Sequence, residues 1–184
     1  MSYALTPYLI DLEELRRAVG SRRQSLITAS LGGDPNELRD AWETEEDAEV
    51  EGLVSFDQAV RHLVMGEPLN QDCGSEYGYA LERLCRHLGE VILPDAWGAV
   101  RWAAVTDSGL EDLLTKTGSP VPIPNTDFPV IGHWTAAEVA AKVSELGGSH
   151  LTSDDDELQE LLEEYEGWLR KAAAKGNAIV FFYY

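Results

Sequence analysis

The chain has 184 residues, 44% of them hydrophobic, and 33 Asp and Glu against 14 Lys and Arg, for a formal net charge of −19. One domain spanning residues 1–184 is the default at this length, and such a chain buries a sizeable core. Its acidity argues against nucleic-acid and anionic-membrane partners and favours a basic protein partner.

The opening stretch Tyr3–Ile10 reads as a strand, and Pro7 within it predicts an edge position or a bulge. Asp11, with Glu14 three residues on, is a capping-box-like start for a helix over Leu12–Val19. Gly20 closes that helix, and Ser21 is expected to cap a second one running to Leu31. Gly32–Pro35 is a turn leading into a short helix to Trp42. The acidic run Glu43–Glu51 follows, as a solvated helix end or linker without EF-hand spacing.

The central stretch, Ser55 to Leu93, predicts an αα-hairpin. Ser55 is the N-cap of its first helix, with Phe56, Ala59, Val60, Leu63 and Val64 on one face. Gly66 and Pro68 end it. The second helix places Tyr77, Leu81, Leu84, Cys85 and Leu88 on one face and Glu82, Arg83 and Arg86 on the other. The polar loop between them is the one place where Cys, Asp, Glu, Ser and Tyr gather closely in sequence.

Pro94 opens a segment in which Trp97, Val100 and Trp102 fit a short helix or a strand. Leu110, Leu113 and Leu114 mark a further short helix. Pro120 to Pro129 is a long extended loop, stiffened by prolines or offered as a proline-rich ligand. A short strand is expected within Phe128–Trp134. Thr135 and Glu138 then cap a helix over Ala136–Leu146. The longest helix, about Asp154 to Lys175, carries acids at its start and bases at its end, matching the helix dipole. Its buried stripe is Leu158, Leu161, Leu162, Tyr165, Leu169 and Ala172. Ala178–Tyr184 is an unbroken apolar strand, expected to be central and buried on both faces. The fold class is therefore α+β: a small mixed sheet holding both terminal strands, packed against helices that include the hairpin.

Three segments together resemble the YfbM-like family of small bacterial domains of unknown function. They are the N-terminal strand leading into Asp11-Leu12-x-x-Leu15, the Leu63-Val-Met-Gly66-Glu67 hairpin unit, and Ala172-Ala-Ala-Lys-Gly176-Asn177-Ala178 before the last strand. Pro120–Pro129 departs from that pattern. The resemblance implies an α+β fold and a cytoplasmic protein, and it carries over no catalytic residues.

The residues themselves also point to the cytoplasm. Residues 1–10 lack the basic start of a signal peptide, and no apolar run approaches the ~20 residues that cross a bilayer. Cys73 and Cys85 fit neither a metal spacing nor a disulfide scaffold, so no cofactor or metal is expected. The candidate binding residues are His62, Glu67, Asp72, Cys73, Glu76 and Tyr77, all in or beside the hairpin loop. Cys73, ahead of a helix N-terminus, is the candidate nucleophile, with His62 as base and Asp72 or Glu76 orienting it. Glu67, Asp72 and Glu76 are candidate acid–base carboxylates. His62 and His87 border the apolar faces and would approach each other if the hairpin closed. Two functions follow: an acidic protein-interaction module, in the manner of an immunity protein or antitoxin, and alternatively a small enzyme with its pocket at the Glu67–Tyr79 loop.

Overall fold

The computed structural model describes residues 5–32, 53–92, 118–148, 152 and 156–184. The helix expected up to Trp42, the acidic run Glu43–Glu51, the segment around Trp97–Leu114, and His150 lie outside them.

The described chain runs β1 (Leu5–Ile10), α1 (Leu12–Ala18), α2 (Gln24–Leu31), α3 (Phe56–Met65), α4 (Gly74–Leu88), β2 (Glu90–Val91), β3 (Val130–Trp134), α5 (Ala136–Leu146), α6 (Asp156–Lys175) and β4 (Ala178–Tyr183). The four strands form one sheet in the order β2-β1-β4-β3. Every pairing is antiparallel, so the sheet is α+β as expected but not mixed. No parallel pairing occurs among the described strands.

Strand periodicity divides the core in two. Tyr8, Ile10, Ile131, Ala178, Val180 and Phe182 face a cluster shared with α1 to α4. Leu5, Leu9, Trp134, Ile179, Phe181 and Tyr183 face the other way, against α5 and α6. Alternate residues thus serve opposite layers, and β4 is buried at all six positions between β1 and β3.

β1 is an interior strand, contrary to the edge position expected from Pro7. Pro7 lies opposite Phe181 of β4, and its carbonyl accepts from the Ile92 N–H on the β2 side. The N and C=O of one strand residue point the same way, so the missing N–H faces away from β4. The one ladder bond the proline cannot make is the reciprocal one to Ile92, where the short β2 is already ending.

Helix caps follow the sequence closely. Asp11 accepts from the N–H groups of Glu13 and Glu14, and Ser55–Gln58 and Thr135–Glu138 are complete capping boxes. The exception is α2, which starts at Gln24 after an Arg23 N-cap rather than at Ser21. The Gly20 and Arg22 N–H groups donate to the Leu63 and Val64 carbonyls at the end of α3. Arg22 has φ +58. These tertiary bonds hold residues 20–22 out of the helix.

The hairpin α3–α4 forms, but α4 is not half-solvated. Glu82 is 5% exposed and Arg83 6%, although both were expected on an outer face. The helix touches α1, α2, α3, β1 and β2, so nearly its whole circumference is covered. The proline segment lies over its N-terminal end. A Cβ on Gly74 would collide with the Asn125 carbonyl oxygen, and one on Gly78 would meet Pro129 Cδ at 2.9 Å. Two glycines therefore admit the loop, whose Val121 joins the core.

Candidate functional site

At the closed end of the hairpin three of the six candidate residues meet. Tyr77, in the first turn of α4, is fully buried. Its oxygen accepts from the Asn70 N–H at 3.1 Å, and lies 2.8 Å from His62 Nδ1. A phenol has one proton. The phenol can give that proton to His62 Nδ1 in the tautomer whose ring proton sits on Nε2. Nε2 faces a carboxylate oxygen of Glu67 at 3.6 Å. The result is a chain from exposed Glu67 through half-buried His62 to buried Tyr77. Tyr77 thereby ties His62 of α3 to the Asn70 backbone of the loop.

The other candidates stand apart from this chain. Cys73 is 1% exposed and belongs to the core; its N–H donates to the Asn70 carbonyl at 3.3 Å. A thiol so placed is closed to a substrate, which removes the physical basis for a Cys73 nucleophile. Asp72 is exposed, with its N–H bonded to Asn70 Oδ1. Glu76 is half-buried and acts on Tyr79: burial, Glu82 and Glu76 together push the Tyr79 hydroxyl up to about 12. His62 and His87 do not approach. His62 sits beside Tyr77, and His87 is ten residues further along α4, about 15 Å by helical rise. No group of three metal-ligating side chains occurs among the described residues.

A second polar cluster was not expected. Glu82 is held between the sheet and α4, where it accepts from the Tyr8 hydroxyl at 2.7 Å and from the Tyr184 hydroxyl. Tyr184 stacks on Tyr79 with centroids 5.8 Å apart and meets Phe128 edge-on at 6.0 Å. Burial pushes the Glu82 carboxyl up, against the Tyr8 hydrogen bond and the charges of Arg86 and Arg83. Burial likewise pushes the Tyr8 hydroxyl far above its usual range, with Glu82 adding to it. The Cys85 thiol is raised by burial and by Glu82. The only signal in the sequence was that Tyr8 and Tyr184 are phenols in or beside largely apolar strands, each in need of a partner when buried.

Fold and clusters together define a small α+β domain whose antiparallel sheet is covered by helices on both faces. The chain belongs to the family described as Domain of unknown function (DUF7691), which matches residues 1–184. That match says nothing of kinship with YfbM-like domains. No curated protein and no solved structure matches the chain.

Proposed function

We propose that this domain is an acidic protein-interaction module whose partner is a basic protein, in the manner of an immunity protein or antitoxin. The observation that carries this reading is the charge of −19 and how it is distributed. Several of the few bases are committed within the molecule: Arg16 to Glu13, Lys142 to Glu145, Arg170 to Glu166, and Lys171 and Lys175 to Glu90. Acids such as Asp57, Glu67, Asp72, Asp127, Glu160 and Glu163 remain exposed. A surface of one sign steers a partner of the other and speeds encounter. A cytoplasmic setting fits two free, buried cysteines.

The test is capture from native host lysate at low and high salt, beside a variant with the acids of Glu43–Glu51 changed to Gln and Asn. The reading expects a stoichiometric basic protein, lost in high salt and in the variant. Retention of no basic protein under gentle conditions would contradict it.

The Glu67–His62–Tyr77 chain favours a second reading, an enzyme with its pocket at the Glu67–Tyr79 loop and His62 as the acid–base group. Cys73 has no part in it. Under this reading His62→Gln abolishes turnover in a metabolite screen while the fold is kept. Under the first reading the same change leaves partner affinity intact.

A further inference from the structure

A cleft of about 430 Å³ lies between α1, α2 and the end of α4. Its polar lining is Arg23 and Ser25 at the start of α2, His87 near the end of α4, and Glu14 of α1; Leu26 and Leu88 supply apolar wall. The cleft is open to solvent, and Glu14, Arg23, Ser25 and His87 are all exposed along it.

Arg23 brings a positive charge to this cleft. The Arg23 guanidinium has no carboxylate partner among the described residues, as Arg22 and Arg61 have none, although the chain holds more than two acids for every base. The Ser25 hydroxyl and the His87 ring are likewise without a hydrogen-bond partner among the described residues. Three groups able to donate to an anion thus line one concavity. Glu14, on the same wall, disfavours a second negative charge on whatever binds.

We propose that this cleft binds a small monoanion, a carboxylate on a short aliphatic body. The carboxylate pairs with Arg23, which can engage it through two parallel N–H donors. Ser25 and His87 flank it, and the hydrocarbon lies on Leu26 and Leu88. A phosphate dianion offers more charge to Arg23 but meets Glu14, and an uncharged amide lacks the charge.

The experiment is an amide-proton NMR titration of the full-length chain with 4-methylpentanoate, 4-methylpentanamide and inorganic phosphate. The proposal expects saturable shifts at Ser25, Leu26 and His87 with the carboxylate, and weaker binding of the other two probes. Arg23→Gln weakens carboxylate binding about tenfold or more, the loss expected for one charge-assisted contact, and Glu14→Gln strengthens it. Both positions line the cleft through side chains outside the core, and a thermal melt verifies that each variant folds. No saturable shift with the carboxylate overturns the proposal. So do shifts unchanged in Arg23→Gln, or phosphate or the amide binding as tightly as the carboxylate.

Discussion

Glu82 accepts from two phenols, Tyr8 and Tyr184, at 5% exposure. Its carboxyl is raised above the ordinary 4.5 because burial outweighs the hydrogen bonds and the nearby arginines. The folded chain therefore holds this proton more tightly than the unfolded chain does. Between 4.5 and the higher folded value, the folded state binds more protons, so this group's contribution to stability falls as pH rises. Glu82→Gln removes that dependence. The stability of the Gln variant relative to the wild type should rise as pH is raised above about 4.5, and level off once the folded carboxyl has lost its proton, measured by urea unfolding at each pH. A flat difference would mean that the carboxyl is not perturbed. Tyr8→Phe removes the 2.7 Å donor and should cost about 1–3 kcal/mol, because it leaves a buried carboxyl oxygen without its partner. At the other cluster, Tyr77→Phe leaves the Asn70 N–H and His62 Nδ1 without their shared partner. It should cost about 1–3 kcal/mol, seen as a lower urea midpoint.

The elements show how far local chemistry reaches. Ser55, Thr135 and Asp11 announced their helices because a cap is decided within four residues, and Gly66, with φ +70, ends α3 where the sequence placed it. Features fixed by distant contacts did not show. α2 begins two residues late because α3 carbonyls hold residues 20–22. Glu82 and Arg83 looked solvated because a helix's own periodicity does not reveal that other elements cover its second face. Of the candidate site, the meeting of His62 with Tyr77 and Glu67 was legible as a gathering of polar residues in one loop. The burial of Cys73 and the pairing of Tyr8 with Glu82 depend on contacts that sequence spacing does not encode. The proline segment's place over α4 gives a further prediction. Gly74→Ala drives a Cβ into a backbone oxygen, and Gly78→Ala puts one at 2.9 Å from a proline ring. Both should destabilise, Gly74→Ala the more, by about 1–3 kcal/mol or above. Gly167 is exposed within α6, and a methyl group added there would meet nothing within 4 Å. Gly167→Ala should stabilise by about 0.5–1 kcal/mol. Thermal melts of the three variants check the order.

For the whole molecule, net charge is the dominant quantity. At −19 the compact state works against its own repulsion. Raising ionic strength from about 0.01 to 0.15 M shortens the Debye length from about 30 to 8 Å. The melting temperature should therefore rise with added sodium chloride, even though the surface ion pairs weaken over the same range. The same field is what a basic partner would meet, and its signature is kinetic. The most direct test is the association rate of the captured partner as a function of salt, by stopped flow. An electrostatically steered complex associates at about 10⁸ M⁻¹s⁻¹ or faster in low salt and slows toward about 10⁵–10⁶ M⁻¹s⁻¹ when screened, with little change in the dissociation rate. That result is the one the interaction reading predicts. An association rate indifferent to salt would contradict it.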